Sequence, residues 1–201
     1  MATFFWKHIA YVLTVAAVSI LTNSYTLAVL GTSYCHYLCY IHTYFYRDVK
    51  TTSEYKAFQN ACFLYKSIAV CHIVYIYAWP ILTGRAEVDH ISLVMILCGY
   101  VVSISATQVL GIDGTYFGIE LGFLQADYKF VKSFPYNIFP HPMILGQVFA
   151  LLGVYKAAWV REAYPWFCPI HVFLYILHLT QEIYDFWDGE PWYKFATKKT
   201  A

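Results

Sequence analysis

The sequence predicts an all-α integral membrane protein with four to five transmembrane helices, the last two forming a C-terminal helical hairpin. Three observations carry this expectation. The 201-residue chain is 60% hydrophobic and only 12% charged, against about 25% charged residues in ordinary soluble domains. Its mean hydropathy is +0.50. No Asp, Glu, Lys or Arg occurs between Lys7 and Arg47, a run longer than the roughly 20 apolar residues that one span requires.

Breaking the chain at charges, glycines and prolines gives apolar segments at residues 9–30, 57–82, 91–110, 143–159 and 166–180. The first is too long for the apolar region of a signal peptide, and Asn23, Tyr25 and the following aromatics offer no small-residue cleavage site. Lys156, Arg161, Glu162 and Pro165 separate the last two segments as a helix end, a polar tip and a restart, which predicts the hairpin. In this layout Lys7, Arg85, Lys156 and Arg161 share one side, whereas Arg47, Lys50, Lys56, Lys129, Lys132, Lys194, Lys198 and Lys199 share the other. The second side is then expected to face the cytosol or matrix. Lys66 is left inside the second segment, either as a functional group or as a cation snorkelling to the interface. With no internal repeat, residues 1–201 are expected to form a single membrane domain.

A net charge of +1 without an arginine-rich patch gives no expectation of nucleic acid. Membrane phospholipids and other membrane-protein subunits are the expected partners. Cys35, Cys39, Cys62, Cys71, Cys98 and Cys168 form no CxxC pair, so they are expected to be buried thiols, with no metal site. The aromatic clusters "HYLCYIHTYFY" (36–46) and "FWDGEPWYKF" (186–195) are expected at a membrane interface, the first also as a contact for a neighbouring subunit. His171 and His178, seven apart, would share one face of the last helix, a spacing that also admits haem ligation.

The hairpin would bring its two feet together on one membrane face: "FPHPM" (139–143), with His141, and "LTQEIYDF" (179–186), with Glu182. Before them lies "GIDGTYFGIELG" (111–122), where Gly114, Gly118 and Gly122 are spaced four apart. That spacing suits either close helix packing or close backbone approach to a ligand.

Together, "VLGIDGTYFGIELGF", "FPYNIFPHPMILGQVFALLG" and an acidic residue closing the last span resemble the phospholipid N-methyltransferases. These small membrane enzymes convert phosphatidylethanolamine towards phosphatidylcholine. The resemblance covers about residues 91–186, the methyltransferase-like core, and falls on Gly114, Thr115, Tyr116, Gly118, Phe134, Pro135, Asn137, Pro142, Met143, Gly146 and Glu182. It implies S-adenosylmethionine as cofactor, with Gly99, Gly114, Thr115, Gly118, Pro142, Gly146, Gln181 and Glu182 at its site. Glu182 and His141 are the implied catalytic residues. A proline-fixed turn feeding a helix N-terminus would offer N–H groups to the cofactor's carboxylate. Three positions depart from the family pattern: Leu97 replaces the first glycine of a Gly-x-Gly that keeps Gly99, Gln181 replaces the first acid of a Glu-Glu pair, and Ile144 replaces a tyrosine. These departures imply a second reading, a catalytically silent homologue serving as a lipid-binding accessory subunit of a mitochondrial respiratory or ATP synthase complex. The mitochondrial inner membrane and the endoplasmic reticulum are the expected locations.

Overall fold

The structure, a computed structural model, describes residues 2–46, 49–118, 121–124, 131, 133–185 and 190–191. Helices α1 (Ala2–Leu21), α2 (Tyr25–Ser33), α3 (Cys35–Tyr46), α4 (Thr52–Leu82), α5 (His90–Thr115), α6 (Pro142–Lys156), α7 (Ala158–Ala163) and α8 (Phe167–Ile183) follow in order. A two-residue antiparallel pairing, β1 (Tyr184–Asp185) with β2 (Glu190–Pro191), comes after α8.

Two helices, α4 with 31 residues and α5 with 26, are long and apolar enough to cross a membrane. Their outward faces favour lipid over water. Phe63, Leu64 and Val74 on α4 and Val94, Val101 and Ile104 on α5 are each more than half exposed, whereas a soluble bundle turns such faces inward. α6 and α8, with 15 and 17 residues, are only about 23 and 26 Å long at 1.5 Å per residue. Length and composition thus identify two spans among the described residues, where the sequence suggested four to five.

The expected first span, residues 9–30, is broken in two. Asn23 adopts a left-handed φ of 49°, and the Ser24 hydroxyl caps α2 by accepting the Leu27 N–H at 3.2 Å. α2 then folds back along α1. The Tyr11 hydroxyl donates to the Gly31 carbonyl at 3.1 Å, and a Cβ on Gly31 would lie 2.5 Å from Val15 Cγ1. A charge-free run therefore forms a short helical hairpin, whose nine-residue second arm is about 14 Å long. The reversal seats Tyr11 and Val12 against the aromatic cluster around Tyr55 and Phe58.

Among its described side chains, α3 turns inward much of the cluster whose aromatic composition suggested an interface belt. His36, Tyr37, Cys39, Tyr40 and Thr43 are all buried, packed against α4 and α8. The cluster at 186–195 lies outside the described side chains. Cys35, Cys39, Cys62 and Cys168 are buried free thiols as expected, but Cys71 and Cys98 are exposed on the outer faces of α4 and α5.

Local signals fix the helix starts. α4 begins with a reciprocal capping box, in which Thr51 Oγ1 accepts the Glu54 N–H at 3.2 Å while Glu54 accepts the Thr51 N–H at 3.0 Å. Asp89 caps α5 by accepting the Ser92 N–H at 3.1 Å and pairs with Lys156 at the end of α6. The Lys156 hydrogen bond, then the Ser92 N–H, hold the Asp89 carboxyl below its ordinary range. At the hairpin tip Arg161 donates to the Lys156 and Tyr155 carbonyls at 2.8 and 3.2 Å, closing the end of α6 before α7 turns into α8.

Candidate functional site

α5 and α6 form the tightest helix pair of the fold, and two glycines implied as cofactor contacts lie inside it. A Cβ on Gly99 would sit 2.4 Å from the Gly146 carbonyl oxygen and 2.6 Å from Ala150 N; a Cβ on Gly146 would sit 2.6 Å from the Gly99 carbonyl. No side chain fits at either position without separating the helices. Polar ties run along the same antiparallel seam. Ser92 donates to the Gly153 carbonyl at 2.6 Å, Gln147 to Ser103 Oγ at 2.8 Å, and Thr107 to Met143 Sδ at 3.4 Å. Leu97, which replaces the other family glycine, is 56% exposed on the outer face of α5 and takes no space in the seam. Ile144 is 1% exposed within the core, where a tyrosine hydroxyl would meet apolar neighbours.

At the far end of α5 the helix kinks at Gly111, whose φ of 76° and ψ of 171° suit glycine alone. The kink redirects the chain into a compact loop. Thr115 Oγ1 donates to the Gly111 carbonyl at 2.7 Å, and the Gly118 N–H returns to the Asp113 carbonyl at 3.0 Å. A Cβ on Gly118 would lie 2.5 Å from that carbonyl oxygen. Gly118 and Gly122 sit in turns, Gly122 with a φ of 78°. Gly118 and Gly122 therefore serve turns, because α5 ends at Thr115, before a packing stripe can form. Gly114 is half-buried in the last turn of α5, and Thr115 is buried.

Two side chains of α4 hold this loop. The Tyr55 hydroxyl donates to the Asp113 carbonyl at 3.0 Å, and Gln59 Nε2 donates to Asp113 Oδ1 at 2.7 Å. Tyr116 and Phe117 insert beneath it, with ring centroids 6.1 and 5.7 Å from Tyr40 of α3. Phe117 also meets His178 of α8 at 5.5 Å, and His178 meets Tyr40 at 5.2 Å. The loop carrying Gly114, Thr115 and Gly118 thus reaches the last two turns of α8. Sequence reasoning missed Tyr40, Tyr55, Gln59 and His178 as its supports, since they come from three separate helices. The haem spacing is accounted for in the same way. His178 is enclosed by Tyr40 and Phe117, and the ring of His171 lies 4.7 Å from both Tyr34 and Phe167.

The start of α6 is the second foot. His141 occupies the N-cap with φ 50° and ψ 49° and makes no side-chain cap. Its carbonyl accepts both the Ile144 and Leu145 N–H groups at 3.1 Å, and Pro142 has no N–H. The expected set of free donors thus narrows to the Met143 N–H. The Met143–Thr107 contact fixes this foot beside the lower end of α5. Gln181, one turn after His178, is 4% exposed, and neither Nε2 nor Oε1 has a hydrogen-bond partner among the described residues. Glu182 follows it in α8, but its side chain lies outside the described residues. Loop and α8 end are brought together; Gly99 and Gly146 are brought to each other, farther along the bundle.

Gln181 is thus an unpartnered buried amide one turn beyond His178, which meets the loop through Phe117, and is a receptive polar position. No curated protein and no solved structure matches the chain. The family model for phospholipid methyltransferase matches residues 88–184, from the cap of α5 through β1. The C-terminal half of this chain, just under half of its length, is a phospholipid methyltransferase-like region.

Proposed function

We propose that this region binds S-adenosylmethionine at the loop-bearing end of the bundle and transfers its methyl group to the amine of a phosphatidylethanolamine-type lipid. Gln181 carries the reading. Its amide has both a donor and an acceptor without partner in a buried position, which fits the carboxylate and ammonium of the cofactor's amino-acid end. The Met143 N–H and the positive end of α6 would add to the carboxylate contact. When bound, the cofactor supplies an electrophilic methyl carbon. The lipid amine would have to give up one proton on taking that methyl group. Glu182 is assigned as the acceptor of that proton and His141 as a donor at the cofactor edge. Loop 111–118, pinned by Tyr55 and Gln59, holds the reactants in line and excludes water.

Four to five membrane-crossing segments are retained in this proposal, with α1, α6 and α8 completing a bundle around α4 and α5. The membrane is taken to be the mitochondrial inner membrane or the endoplasmic reticulum. A second reading is favoured by one observation: the Gly99–Gly146 contact is closed on itself, so packing alone accounts for two motif glycines. The chain would then serve as a silent, lipid-binding subunit of a respiratory or ATP synthase assembly. Incubating reconstituted protein with methyl-labelled S-adenosylmethionine and phosphatidylethanolamine separates the two. Label in the lipid, lost in Glu182→Gln, supports transfer; no label from folded protein that binds both substrates supports the subunit role.

A further inference from the structure

A second polar site lies inside the bundle, between α3, α4, α6 and α8. His36, Lys66, Gln147, His171 and Tyr175 line a narrow cavity with about 250 Å³ of unfilled space including its open mouth. Its enclosed part has room for about one water-sized group. His36 is 2% exposed and neither ring nitrogen has a partner, and His171, also 2% exposed, has an unpartnered Nε2. The two rings lie 6.1 Å apart and nearly parallel. Lys66 is half-buried and makes no ion pair among the described residues.

The chemistry of the lining selects the ligand. It holds one ammonium, two imidazoles, an amide and a phenol, and no carboxylate. Each neutral imidazole presents one N–H, and the ammonium of Lys66 adds a full charge on the apolar side of α4. Among the described residues no group of three or more metal-ligating side chains occurs, and the lysine would repel a cation. A water molecule would satisfy the histidines but would leave the lysine without a counter-charge, a costly state inside a bilayer. Gln147, which places the cavity about 8 Å along α6 from Pro142, keeps it within reach of the interface where Lys56 and Asn60 are exposed.

We propose that this cavity binds an oxygen of a phosphate group, with Lys66 as its charge partner and His36 and His171 as N–H donors. The phosphate comes either from a phospholipid headgroup beside α4 or from free phosphate. The site is separate from the methyltransferase positions, and it stands whether or not the chain transfers methyl groups.

The test is thermal unfolding and titration of the detergent-purified chain at constant ionic strength. Three additions are compared: phosphatidylglycerol, diacylglycerol with the same acyl chains, and inorganic phosphate. Stabilisation by phosphatidylglycerol but not by diacylglycerol assigns a headgroup, and stabilisation by inorganic phosphate alone assigns the free ion. In either case Lys66→Met is expected to weaken binding at least tenfold while circular dichroism stays that of the parent. His36→Phe gives the same loss should Lys66→Met fail to fold. Absence of phosphate-dependent stabilisation in the parent chain, or stabilisation that survives both folded variants unchanged, would overturn the proposal.

Discussion

α5 and α6 meet through the absence of side chains, whereas α3 and α4 meet through some of the largest. In the first pair Gly99 and Gly146 bring backbones into direct contact, and hydroxyl and amide ties run alongside. In the second, Tyr40, Tyr55, Phe58, Tyr65 and Tyr116 fill the space between helices, with Cys39 and Cys62 at 0% exposure. Both modes suit a bilayer, where apolar burial does not drive helices together and close packing must do so. The difference lies in which change each half tolerates, and in where the receptive polar groups collect: at the boundary between the two.

The largest effect is expected from a deletion in the aromatic half. Phe58→Ala removes a fully buried ring and should cost about 3–5 kcal/mol, read as a lowered unfolding midpoint in mild detergent. The glycine half should fail in the opposite sense. Gly146→Leu forces a side chain against the Gly99 carbonyl and should cost about 1–3 kcal/mol, while Leu97→Ala on the exposed face of α5 leaves the midpoint nearly unchanged. Equal tolerance of Leu at position 146 would show that the seam is looser than described.

Smaller effects sharpen the boundary. Gln59→Leu removes the tie to Asp113 and should cost about 0.5–1.5 kcal/mol, with faster proteolysis within residues 111–118 and weaker cofactor binding. The smallest change concerns the Asp89–Lys156 link at the opposite end. Because the folded carboxyl titrates below its ordinary value, its contribution is full above the unfolded carboxylate pKa of about 3.9. It is lost as pH falls through the lower folded value. An Asp89→Asn chain should therefore show a slightly lower unfolding midpoint at neutral pH, a deficit that vanishes as pH falls, and so a flatter acid limb.

Much of this was legible in the sequence because it rests on local rules. The hairpin tip at Lys156–Pro165 and the glycine-rich turn after α5 follow from charges, proline and glycine. The α1–α2 reversal was hidden because its turn residues, Thr22 to Ser24, carry no charge and sit inside an apolar run. The burial of α3 was hidden for a related reason, since tyrosine and histidine suit both an interface and a polar-aromatic core. The order of the family pattern pointed to about residues 91–186, close to the matched 88–184, but it could not distinguish Gly99, which faces a helix, from Gly114, which leads into the loop. Only the positions of neighbouring helices separate these roles.

The most direct test of the methyltransferase reading is calorimetric titration of S-adenosylmethionine into the detergent-purified chain, beside Gln181→Leu. Micromolar binding that is lost in the variant, with its helical content intact, is the expected result. No binding by the folded parent chain, or equal binding by Gln181→Leu, would contradict the assignment of the α8 end as the cofactor site.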